Sequence, residues 1–204
     1  MTFIFAIAIL MLSVILHEIS HGYVAYILGD PTAKYAGRLT LNPLKHLDIF
    51  GSILLPAFTY LTGGFIIGWA KPVPFNPYNL KNQKWGPALV GAAGPLTNLL
   101  IMLIFGIIIR LNTALFFLPV AFSQLASLIV FVNLQLAILN LVPIPPLDGS
   151  RLVSALLPFR WQQIQYTLER YSFIFVLIFI FFIWPYLFLP IVGNLFKLIT
   201  GLNI

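Results

Sequence analysis

Apolar runs long enough to cross a bilayer alternate with short polar stretches along this chain. Residues Phe3 to Leu16 are apolar except for Ser13, and the apolar character resumes from Tyr23 to Leu28. This predicts one helix from about Phe3 to Leu28, closed by the turn Gly29-Asp30-Pro31. It lacks the basic start and small-residue cleavage site of a signal peptide. Asp30 to Asp48 is polar, and within it Tyr35 to Leu41 reads as a short β element. Ile49 to Trp69 is apolar but broken by Gly51, Pro56, Gly63, Gly64 and Gly68. Gly86 to Ile109 is a clear crossing that opens with Ala88, Gly91, Ala92, Ala93 and Gly94, small residues that let helix backbones approach closely in lipid. Ala114 to Leu141 is another crossing, and Arg151 to Arg170 is a polar return. Ser172 to Ile199 is apolar with Pro185 and Pro190 inside it, either one long bent helix or two short ones.

The expected fold is therefore an all-α polytopic membrane protein with about four to six transmembrane or re-entrant segments, each crossing needing roughly 20 apolar residues, plus a short β element after the first helix. It forms a single membrane-embedded domain over residues 1–204, with its core at 3–155 and a C-terminal helical segment at 171–200.

Composition sharpens this. The chain is 60% apolar and 8% charged, where soluble domains run at about 45–50% and about 25%. That excludes a soluble enzyme and a disordered or collagen-like chain. The net charge of +6 does not point to nucleic acid, because the basic residues sit between apolar runs as orientation signals do. The loops 30–48, 69–85 and 151–170 carry three each of the eleven, and the positive-inside rule places all three loops in the cytoplasm. Ile49–Trp69 must then enter and leave on one side, as a re-entrant segment sheltered by protein. The absence of cysteine excludes disulfides and thiolate metal sites.

Against this apolar background, His17-Glu18-Ile19-Ser20-His21 matches the zinc-hydrolase pattern H-E-x-x-H. On a helix, positions i and i+4 share a face, so both imidazoles can reach one ion. Glu18 lies beside them as a base for water. Ionisable groups within a span are costly and usually functional. A catalytic zinc takes three protein ligands and keeps one position open. The extended pattern that would supply a third histidine fails at Val24 and Ile27. The remaining candidates are His46, Asp30, Asp48, Asp148 and Glu169. Asp148 is the strongest, because Pro143, Pro145 and Pro146 end the preceding helix and can turn a carboxylate back toward a buried ion. The plainer alternative makes Asp148 a helix cap for the residues from Gly149 onward. Depth favours the pairing: His17 lies about 21 Å along its helix from Phe3, toward the cytoplasmic side, where the Ala114–Leu141 run also ends.

Three ordered motifs, His17-Glu18-Ile19-Ser20-His21, Gly94-Pro95-Leu96-Thr97-Asn98, and Asn140 leading into Pro146-Leu147-Asp148-Gly149, resemble the site-2 protease family of intramembrane zinc metalloproteases. The likeness runs from about residue 10 to 155. Gly68-Trp69-Ala70-Lys71-Pro72-Val73-Pro74 is similar to the compact subgroup without PDZ or CBS domains. The resemblance implies one zinc ion at His17, His21 and Asp148, with Glu18 as general base and Asn140 as a polar helper near the oxyanion. Asn98 would line the same cavity.

The expected activity is hydrolysis of peptide bonds in or near transmembrane segments of membrane-protein substrates, in regulated intramembrane proteolysis. The lipid bilayer, specifically the cell membrane, is the setting, with the active site toward the cytoplasm. A helical substrate must unwind locally, by adding a strand beside Tyr35–Leu41 or Trp69–Phe75. Two rivals use the same residues. A metal-ion transporter would commonly show repeated halves, which this chain lacks. A non-enzymatic scaffold with a structural zinc would close the fourth coordination position.

Overall fold

The computed structural model describes residues 2–54, 58, 70–115, 118–158 and 167–202. Helix α1 spans Thr2–Ile27, and the four-residue α2 spans Thr32–Tyr35. Two long helices follow, α3 at Gly86–Leu115 and α4 at Val120–Leu141, then the short α5 at Gly149–Leu156. The last helical run, α6, covers Ser172–Thr200, with wide π-type turns over Phe179–Phe188 between two α-helical parts. Pro185 lies within those turns, where its missing N–H interrupts a regular ladder. α1, α3, α4 and α6 are each long and apolar enough to cross a membrane.

The expected β element at Tyr35–Leu41 is not there. Among the described residues no strand occurs, and Tyr35 closes α2 instead. Two local features explain the difference. Gly37 turns the chain with a φ of 63°, and the Arg38 N–H bonds back to the Ala33 carbonyl at 3.0 Å, so these residues coil on themselves.

The boundary between the second and third crossings also moves. α3 runs on to Leu115 rather than stopping near Ile109, and the break falls at Pro119. Asn112 stitches this hairpin, accepting from the Leu118 N–H at 2.7 Å and donating to Ser123 Oγ at 2.9 Å.

Helix α3 is the centre of the bundle, packed on α1, α4, α5 and the C-terminal part of α6. Met102 and Ile109 of α3 meet Val130 and Leu134 of α4, and Val192 and Phe196 of α6 complete this core. Its glycines set how closely neighbours approach. A Cβ on Gly106 would lie 2.3 Å from Ile199 Cγ2, and one on Gly91 would lie 3.1 Å from the Asp148 carbonyl oxygen. α1 runs antiparallel to α3 and parallel to α4. Ser13 pairs with Asn133 and His17 with Asn98, while His21 lies against Val90. The end of α1, the start of α3 and the end of α4 therefore share one end of the bundle.

Most of the apolar segment 49–69 lies outside the described residues, so its re-entrant course does too. The residues that flank it meet: the Lys71 N–H donates to the His46 carbonyl at 2.9 Å. The chain thus leaves for the segment and comes back from it on the same side of the bundle.

Asp30 ties the two connecting loops together. It is fully buried. Its Oδ1 accepts from the Thr32 hydroxyl at 2.5 Å and from Asn79 Nδ2 at 2.9 Å, and its Oδ2 accepts from the Asn76 N–H at 2.6 Å. Burial alone would raise its pKa, but the Thr32 and Asn79 side chains and the Asn76 and Thr32 N–H groups outweigh it, holding the carboxyl below its ordinary range. Asp30→Asn turns one acceptor into a donor facing those N–H groups, and should cost about 1–3 kcal/mol, read as a lower thermal midpoint in detergent. The lowered pKa sets the sign of the pH effect. Wild type keeps this advantage above about pH 4 and loses it as the pH falls through the native value, so the two midpoints should converge only in acid.

Candidate metal centre

His17 and His21 sit one turn apart on α1, their rings edge to face with centroids 4.6 Å apart. Asp148 Oδ2 lies 3.0 Å from His17 Nε2 and 3.1 Å from His21 Nε2. All three side chains are buried. Among the described residues, this is the one set of histidine and carboxylate side chains that could hold a metal ion.

Local sequence explains each position. The proline-rich stretch Pro143–Pro146 ends α4, and Gly149 allows the return: a Cβ there would lie 2.2 Å from the Leu141 carbonyl oxygen. Asp148 occupies the cap position of α5, yet its side chain makes no capping hydrogen bond. The carboxylate goes to the histidines instead, with Oδ1 held by Arg151 Nη1 at 3.2 Å. The plain helix-cap reading of Asp148 therefore does not describe this structure. Gly94 leaves room for the imidazoles, since a Cβ there would come within 2.5 Å of His17 Nε2 and 2.6 Å of His21 Nε2.

Hydrogen bonding settles the histidine tautomers. His21 Nδ1 lies 2.6 Å from the Val90 carbonyl, which can only accept, so this nitrogen carries the proton. For His17 the same logic runs through two amides. Asn133 Nδ2 donates to the Ile129 carbonyl and to Ser13 Oγ, both at 2.9 Å, so its Oδ1 must accept from Asn98 Nδ2 at 2.8 Å. That turns Asn98 Oδ1 toward His17 Nδ1 at 2.5 Å, and His17 also carries its proton on Nδ1.

In the neutral rings Nε2 is then the lone-pair atom, and both Nε2 atoms face one carboxylate oxygen about 3 Å away. With both rings neutral the three atoms are all acceptors, and a cation among them, a metal ion or a proton, removes their repulsion. A buried donor set of two neutral imidazoles and one carboxylate suits zinc, so the residues fit that ion.

The other candidates lie elsewhere. His46 is buried, with Nε2 donating to the Thr40 carbonyl at 2.8 Å. Asp48 accepts from the Gly51 N–H at 2.7 Å, and Asp30 belongs to the loop clamp. Glu169 is not in the cluster. Glu18 is half-buried beside His17, with Oε2 accepting from the Val73 N–H at 2.7 Å. Asn140 lies in the last turn of α4, one amide hydrogen donated to the Leu136 carbonyl at 2.9 Å.

The model of peptidase family M50 matches residues 5–124 and 118–183. The chain belongs to peptidase family M50, the site-2 protease family. It is 40% identical over 189 residues to "Putative zinc metalloprotease YwhC" of Bacillus subtilis, covering 87% of this chain and 83% of that one. It is 34% identical over 151 residues to "Putative zinc metalloprotease Rip2" of Mycolicibacterium smegmatis, covering 72% of this chain and 55% of the relative. No solved structure matches the chain. Membership in M50 makes this a membrane metalloprotease.

Within this M50 chain, Asn133 is the residue that sequence reasoning missed. Its one sequence signal is an amide in the middle of an apolar crossing, where polar side chains need partners. Asn133→Leu removes the group that orients Asn98 and should weaken zinc binding by about 10–100-fold, measured by competition with a chromogenic chelator. Unchanged affinity would mean that His17 keeps its tautomer without this chain of amides.

Proposed function

We propose that this chain is an intramembrane zinc metalloprotease that hydrolyses peptide bonds in or near transmembrane segments of membrane proteins. The observation that carries the reading is the convergence of two imidazole Nε2 atoms and the Asp148 carboxylate inside a four-span apolar bundle, with Glu18 the residue after His17 along the helix. His17, His21 and Asp148 would hold one zinc ion, which supplies a Lewis acid for the scissile carbonyl and a more acidic water. Glu18 takes a proton from the attacking water and delivers it to the leaving amide nitrogen. The Val73 N–H holds one carboxylate oxygen of Glu18 and leaves the other for that exchange. Asn140 has a second amide hydrogen to offer the developing oxyanion. The residues form one metalloprotease domain in the cell membrane, with the site toward the cytoplasmic side, where the basic loops cluster.

A helical substrate must open its backbone hydrogen bonds to be cut. Tyr35–Leu41 is coiled rather than extended, so 70–76 is the better candidate edge for an unwound substrate. The test compares membrane-protein fragments in cells carrying wild type or Glu18→Gln. An uncut membrane protein that accumulates only with the variant supports proteolysis. Identical fragment patterns, with zinc flux in sealed vesicles, would favour transport.

A further inference from the structure

The loop after α1 and the segment 70–74 line a half-open cavity of about 460 Å³, within the size range of small-molecule sites. Arg38, Lys45 and Lys71 line it together with Leu44, Leu47 and Pro72. Among the described residues no carboxylate pairs with any of the three cations. Arg38 is only 6% exposed. Its Nη2 donates to the Lys71 and Pro72 carbonyls at 2.6 and 3.2 Å, while its Nε is buried with no hydrogen-bond partner. A buried guanidinium with no counter-charge is expensive, and an anion in the cavity it lines would supply that charge.

The apolar part of the lining narrows the choice of anion. Leu44 is 72% exposed, and Leu41, Ile49 and Phe50 beside it are also exposed large apolar side chains. Such a segment, basic at Lys45 and apolar on either side, suits the headgroup level of a bilayer. Depth agrees: Leu39 and Val73 pack against α1 at Gly22, and the Val73 N–H reaches Glu18, so these loops fold back onto the span. Basic pockets at this level take phospholipid headgroups.

We propose that this cavity is a binding site for the phosphate group of an anionic glycerophospholipid. The guanidinium of Arg38 and the ammonium groups of Lys45 and Lys71 neutralise the phosphate, and the glycerol and first acyl carbons lie along Leu44 and Leu47. The site lies outside the metal centre but touches it through the backbone. Arg38 fixes the carbonyls of Lys71 and Pro72, and the next N–H, that of Val73, holds Glu18.

The test is native mass spectrometry of the whole protein released from detergent, titrated with phosphatidylglycerol, phosphatidylcholine or inorganic phosphate. Wild type should retain one phosphatidylglycerol in clear preference to phosphatidylcholine. Arg38→Gln should lose it but removes structural bonds, so the deciding variant is Lys45→Gln/Lys71→Gln, whose altered side chains are exposed. It should bind phosphatidylglycerol about 30-fold more weakly, and Lys84→Gln, outside the cavity, should bind as wild type does. Equal retention of the two lipids, or a double variant that binds like wild type, would overturn the proposal. Inorganic phosphate that displaces phosphatidylglycerol at equal concentration would reassign the cavity to free phosphate and overturn the lipid assignment.

Discussion

Purified Glu18→Gln should bind zinc as wild type does and cleave a transmembrane substrate about 10²–10⁴-fold more slowly. Glu18 is outside the ligand set, so its replacement leaves both Nε2 atoms and the Asp148 carboxylate in place. Glutamine keeps the size of the side chain and an oxygen for the Val73 N–H. What it lacks is basicity, so the loss should fall on turnover and leave substrate binding intact. Zinc content by mass spectrometry and turnover of a reconstituted substrate separate the two effects. Cleavage at the wild-type rate would remove Glu18 from the role of base. Loss of zinc along with activity would show that the variant disturbs the site itself.

The centre of this site is legible in the sequence because charge is rare in the chain. His17, Glu18 and His21 stand out inside an apolar run, and helical periodicity alone puts the two imidazoles on one face. Asp148 was readable for a different reason. The prolines before it end α4, and only a chain that stops there can turn a carboxylate inward. The supporting residues were harder to read. Asn133 is one amide on a helix with no local motif, and its partners Ser13 and Asn98 are far away in the chain. The role of Gly94 depends on the His17 and His21 rings across the helix interface, which no local pattern records.

The fold shows the same division. The long apolar runs became α1, α3, α4 and α6, because composition and length decide such helices in lipid. The error at Tyr35–Leu41 came from reading a short stretch inside a polar loop as a strand. Its conformation follows Gly37 and the bond from Arg38 back to Ala33. Short segments of mixed polarity take their shape from such specific bonds, and their pattern is too weak to specify one.

Asp148→Asn should separate metal binding from stability in a way few substitutions do. The amide can keep Oδ1 toward Arg151 and place Nδ2 where Oδ2 stood, about 3 Å from both bare Nε2 atoms. With both histidines neutral and no metal bound, those three atoms of the wild type repel one another as acceptors, whereas the variant puts a donor among them. The apo variant should therefore be at least as stable as apo wild type. Its zinc affinity should fall by at least about 100-fold, since replacing even an outer partner of a ligand costs about 10–100-fold. Zinc at 100 times its dissociation constant stabilises wild type by about 2.7 kcal/mol, and at that same concentration the variant should show almost no shift in thermal midpoint. Thermal unfolding in detergent, with and without zinc, reads both effects in one experiment. A variant whose midpoint rises with zinc as wild type does would remove Asp148 from the ligand set.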